Sequence, residues 1–208
     1  DFNRITLADN TTLTVLTNPL EIDSTLTINT GAILDISGVN LTLGTAIDSV
    51  GTLKLDGSET VTQSMMDPNS GTVFYDGTGT YASGLVAGDA YYNLTINGTG
   101  GSWTLDAALD VNGLMTIVAG TLVANNLAIN VAGGWSQAAG TFTPGTATVT
   151  FDGAGTLTKT TGAFNDVTFS SGTVTLGGAL DVDDDVTVTT GVLDVSATNY
   201  AISVGGDW

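Results

Sequence analysis

Ala179-Leu-Asp-Val-Asp-Asp-Asp-Val-Thr-Val188 decides the fold, because the chain writes this stretch three times. The earlier copies are Ala108-Leu-Asp-Val-Asn-Gly-Leu-Met-Thr-Ile117 and Pro19-Leu-Glu-Ile-Asp-Ser-Thr-Leu-Thr-Ile28. Each runs leucine, acid, β-branched residue, a short spacer, then apolar-Thr-apolar. Working outward, Leu13-Thr-Val15, Trp103-Thr-Leu105 and Val174-Thr-Leu176 fall in one place upstream, and Gly31, Gly120 and Gly191 in one place downstream. Thr72-Val-Phe-Tyr-Asp-Gly-Thr-Gly-Thr80 matches Thr148-Val-Thr-Phe-Asp-Gly-Ala-Gly-Thr156 in the same way. The copies lie about 70–90 residues apart, as in a stacked array. They divide the chain into units of about 1–71, 72–147 and 148–208 within one continuous array. The excess of the first unit falls between Leu43 and Val73, where Ser64-Met-Met-Asp-Pro-Asn-Ser70 reads as a loop.

An apolar-Thr-apolar run is a short strand, because alternate side chains of an extended backbone point to the same face. Thr suits the outward position through its β-branch, and Gly suits turns that need positive φ. Asp56-Gly57, Asp76-Gly77 and Asp152-Gly153 are turn signals of this kind. No segment shows helical spacing of apolar residues, so almost no helix is expected. Strand starts at Trp103, Leu109, Met115, Thr121 and Leu127 recur about every six residues, too closely for long hairpins. The pattern predicts an all-β parallel β-solenoid (β-helix) of degenerate repeats, in which each strand pairs with its equivalent one coil later. Coils of roughly 18–24 residues would give about 9–11 coils. The rival arrangement is a string of β-sandwich modules. The expected core is Leu13, Val15, Leu20, Ile22, Leu26, Ile28, Leu109, Val111, Met115, Ile117, Leu180, Val182, Val186 and Val188.

The chain has 208 residues, no cysteine and no histidine, and a formal charge of −18 with only Arg4, Lys54 and Lys159 basic. Such a polyanion repels phosphate backbones, which excludes nucleic acid as a partner. Disulfide frameworks and thiolate metal sites are excluded with the cysteines. No apolar run reaches membrane-spanning length, and no signal peptide is visible. Trp208 aligns with Trp135, after which the second unit continues and the third stops. The expectation is therefore a piece of a longer protein, with targeting and anchoring segments elsewhere.

Carboxylates are plentiful but occupy repeat-equivalent or turn positions, and a catalytic base with Arg or Lys beside it is not evident. No catalytic residue is assigned, and the chain is not expected to be an enzyme. The one dense acidic group is Asp181, Asp183, Asp184 and Asp185. It is a candidate Ca²⁺ site, since hard cations take several oxygens; the other reading is a solvated turn. Trp135 and Trp208 each end a Gly-rich run, and they either stack on sugar rings or cover the core edge at a coil corner. No cofactor is expected apart from this possible calcium.

At Tyr92-Asn-Leu-Thr-Ile-Asn-Gly-Thr-Gly100, Gly140-Thr-Phe-Thr-Pro-Gly145 and Thr148-Val-Thr-Phe-Asp-Gly153 the chain resembles the Thr/Gly-rich repeat regions of giant bacterial surface proteins, adhesin-like or filament-forming β-solenoids. The resemblance covers residues 72–208 and, more loosely, 1–71. It implies an extracellular, cell-surface role and transfers no catalytic residue. The function expected is a structural module, a rigid acidic stalk or scaffold that adheres or forms filaments, through covalent continuation or end-to-end self-association of the solenoid. A carbohydrate- or surface-binding adhesin module is the alternative, and a polysaccharide-degrading β-helix enzyme the second alternative. Membrane insertion of this segment is not expected.

Overall fold

A computed structural model of the chain describes residues 1–45, 47–62 and 67–208. Every strand pair among them is parallel, and each strand pairs with a segment about one coil away. Leu20 lies beside Leu41 and Leu41 beside Val61, so one turn of the coil takes about 20 residues. The chain is an all-β parallel solenoid of about ten turns, without helix among the described residues. Sandwich modules, which need antiparallel pairing, are overturned by this register.

Each full turn offers up to three strand positions. The first forms one sheet along the whole rod, from Thr12–Thr14 to Val192–Asp194. The second runs through Leu41–Leu43 and Val61–Thr62 and reappears as Thr80–Tyr81, the far ends of Asn93–Thr104 and Leu114–Val123, and Thr141–Thr143. The third holds Ile47–Ser49 and, after a gap, Ala90–Tyr91, Leu109–Val111, Ile129–Val131, Thr148–Phe151, Asp166–Phe169 and Val186–Val188. The gap coincides with the loop expected at 64–70, of which residues 64–66 lie outside the described residues. Sheet pairing continues from Leu53 to Val73 to Leu94 past this loop.

The core is a set of inward columns. Leu13, Leu34, Leu53, Val73, Leu94, Met115, Trp135, Leu157 and Leu176 stand in register, one per turn. All but Leu13 are buried, and full burial of such a side chain is worth about 1.5–3 kcal/mol. Most of the expected core is buried as well. Leu13 and Val188, at 37% and 46% exposed, and the half-buried Val15 are the exceptions, because they belong to the first and last turns and are covered from one side only.

Three other expectations need correction. Strands are not uniformly short: Asn93–Thr104 and Leu114–Val123 run around a corner, with register shifts between Asn97 and Ser102 where they bend. No strand begins at Leu127 either. Asn125 and Asn126 take left-handed φ of 55° and 63°, a conformation Asn tolerates, so the turn reaches past Leu127 and the strand is Ile129–Val131. The glycines of Asp76-Gly77 and Asp152-Gly153 have no positive φ. A Cβ on Gly77 would strike the Asp56 carbonyl, and one on Gly153 the Ala132 carbonyl, so close stacking of turn on turn requires them.

Candidate functional site

The four candidate calcium ligands are divided by the corner that carries them. Asp181 lies on the outward position of Leu180–Val182, and its charge, like that of Asp183, acts on Lys159. Asp184 and Asp185 instead meet Asp166, which arrives from the turn before, and one carboxylate oxygen of each lies within 4.8 Å of the others. Asp166 Oδ1 accepts the Asp185 N–H at 3.1 Å, and Asp185 Oδ1 accepts the Asp207 N–H at 2.7 Å. The charges of Asp185 and then Asp166 push the Asp184 carboxyl above its ordinary range. This trio is exposed or nearly so and could take a cation only with water completing its shell. Asp166 could not be picked from local spacing, since its partners come a full turn later.

Trp135 is fully buried, so its ring faces are not open to a sugar. It occupies the continuous inward column, edge-on to Phe142 at 4.9 Å and Phe164 at 5.2 Å. Trp208 is 71% exposed, at the last turn.

A neighbouring inward column changes character halfway. Ile96 and Ile117 are followed by Gln137 and Lys159, both buried. Gln137 Nε2 donates to the carbonyls of Gly140 at 2.9 Å and Thr161 at 3.2 Å, while its Oε1 lacks a partner among the described residues. The Lys159 ammonium lies 5.3 Å from the centre of the Phe164 ring, and burial pulls its pKa down to about 8. Lys54 is the opposite case. It bridges Asp35 at 3.1 Å and Asp76 at 2.8 Å across successive turns, and its bond to Asp76 holds its pKa above the ordinary value against the effect of burial.

Glu59 is buried without a cation, and its carboxylate accepts the N–H groups of Gly38, Asp56 and Gly57 at 2.6–2.8 Å. That is a structural clamp on the Asp56-Gly57 corner, invisible in the sequence because Gly38 lies a turn away.

From Val111 to Phe151 the chain carries no charged residue, so an uncharged belt two turns deep encircles an otherwise acidic rod. Next to Asn93, Tyr92 at 37% and Leu114 at 43% exposed edge a groove of about 420 Å³, floored by Gly113, Gly133, Gly134 and Gly155. No helix among the described residues is long and apolar enough to cross a membrane. No protein-family model, curated protein or solved structure matches the chain.

Proposed function

We propose that the chain is a structural module of an extracellular bacterial surface protein or fibre, a rigid acidic stalk with an adhesive or filament-forming role. The observation that carries this reading is the unbroken inward column from Leu34 to Leu176, buried in every turn. A shape set by stacking alone supplies length and stiffness and needs no pocket. The edge strands Phe2–Leu7 and Val192–Asp194 each leave one row of backbone groups ready for a further turn, from the same polypeptide or from another subunit. The high negative charge keeps neighbouring rods apart, as a surface stalk requires. Negative-stain imaging of the protein on its native surface tests the proposal: straight rods or fibres support it, and compact particles overturn it.

A second reading, a glycan-binding adhesin module, is favoured by the uncharged groove beside Tyr92 and by the exposed Trp208. Aromatic faces next to backbone and hydroxyl groups suit neutral sugars. On a glycan array, binding that disappears in Tyr92→Ala or Trp208→Ala would promote this reading over the pure stalk.

A further inference from the structure

The most unusual interior position is Ser49. It closes the strand Ile47–Ser49 and takes the inward place that Leu7 and Ile28 hold in the two turns before it. The following turn of this face has no strand among the described residues. Ser70 Oγ lies 2.9 Å from the Ser49 carbonyl oxygen, where a sheet would place a backbone N–H. Between the last strand and the segment 67–71 is a cavity with room for one water-sized particle, about 10 Å³ measured at the particle's centre. Its polar lining is Ser49, Asp67, Ser70, Thr72, Tyr92 and Asn93, and no basic side chain lines it.

The cavity holds one buried hydroxyl without a partner and one hydroxyl hydrogen that two acceptors share. Ser49 is 3% exposed, and its hydroxyl has no hydrogen-bond partner among the described residues. Ser70 has one hydroxyl hydrogen, yet its Oγ is 2.6 Å from Asp67 Oδ2 as well as 2.9 Å from the Ser49 carbonyl oxygen. Both of those are acceptors, so the single Ser70 hydrogen serves only one of them at a time. Burial would raise the Asp67 carboxyl, but the Ser70 hydroxyl, the Asn69 N–H at 2.9 Å from Oδ1, the Ser49 N–H and the Asn69 side-chain amide hold it below its ordinary range. The group is therefore an anion at neutral pH, half-buried and without a salt-bridge partner. A hard cation balances the Asp67 charge and gives the unpartnered Ser49 hydroxyl oxygen a ligand bond.

We propose that this cavity binds one calcium-sized hard cation, with the Asp67 carboxylate supplying the charge and Ser49 Oγ, the Ser49 carbonyl and Ser70 Oγ supplying neutral oxygens. One carboxylate places the affinity at the weak, millimolar end of calcium sites. Bound there, the ion ties the segment 67–70 to the turn beneath it, where the third face of the solenoid has no strand among the described residues. The exposed trio of Asp166, Asp184 and Asp185 is a separate feature and contributes nothing to this site.

The test is thermal unfolding of the whole chain with and without millimolar Ca²⁺, together with Tb³⁺ luminescence excited through tyrosine, since Tyr92 lines the cavity. Calcium at about tenfold above its Kd should raise Tm by about 3–5 °C. Asp67→Asn should lose both the shift and the luminescence, Ser49→Ala should weaken Ca²⁺ affinity several-fold, and Asp184→Asn/Asp185→Asn should keep both signals. An unmoved Tm with dark Tb³⁺ would overturn the proposal. So would a response that follows Asp184 and Asp185 instead of Asp67. Should Asp67→Asn fail to fold, Ser49→Ala decides alone: it deletes an oxygen that holds no other bond, and unchanged Ca²⁺ affinity in that variant refutes the site.

Discussion

Val111 and Lys159 are both interior residues, and their environments make opposite demands. Val111 is fully buried between Tyr91 and Val131 of the adjoining turns. Val111→Asp would set a carboxylate in a dry stack without a partner, and we expect a loss of more than about 4 kcal/mol, read from denaturant unfolding. Lys159 bears the desolvation cost in a milder form, since its buried ammonium donates to the Thr161 carbonyl. Its pKa is about 8 in the folded chain against an ordinary 10.5, so between those values the unfolded chain binds more protons. Stability therefore rises with pH from about 8 to 10.5, and below that window the full cost of burying the ammonium is present. Lys159→Met should raise stability at pH 7 by about 1–3 kcal/mol and abolish the rise at alkaline pH, measured as unfolding free energy against pH. An unchanged pH profile would show that the ammonium is better solvated than its 7% exposure indicates.

At the level of strands and corners, turn must sit on turn at a fixed separation, and the glycines enforce it. Gly153 lies against the Ala132 carbonyl of the turn before it, leaving no space for a side chain. Gly153→Val should cost about 1–3 kcal/mol and lower Tm, whereas the same change at Gly100, which has open space but a φ of 82°, is strained by its backbone alone. The stacked architecture was legible in the sequence because its determinants are local: Leu, acid and a β-branched residue, then apolar-Thr-apolar, repeated in phase. What stayed hidden depends on residues one turn away. Asp166 joins Asp184 and Asp185 only once the coil closes, Glu59 finds Gly38 by the same route, and Ser49 meets Asp67 across the inserted loop. Trp135 could be read either as a surface platform or as filler, since a Gly-rich run before a Trp suits both; its neighbours Phe142 and Phe164, from the next corners, make it filler.

Across the whole molecule, charge and apolar order work against each other. A net charge of −18 on 208 residues opposes compactness, and the inward columns overcome it. Monovalent salt screens the repulsion over about 10 Å at 0.1 M, so Tm should climb with NaCl in the parent chain and in Asp67→Asn alike. A fall in Tm with salt would mean that attractive pairs such as Lys54 with Asp35 and Asp76 outweigh the repulsion.

The parallel register has a mechanical corollary. The hydrogen bonds between turns point along the rod, so a load pulling the two ends apart meets them a turn at a time instead of shearing many together. Such a tether resists bending but unspools under tension, paying out about 20 residues, or about 65–70 Å of extended chain, with each turn that peels away. Single-molecule pulling should show a run of low, evenly spaced steps of that length, whereas one tall rupture would mean that the coil yields as a block. A stalk of this kind would damp a sudden tug on whatever it holds.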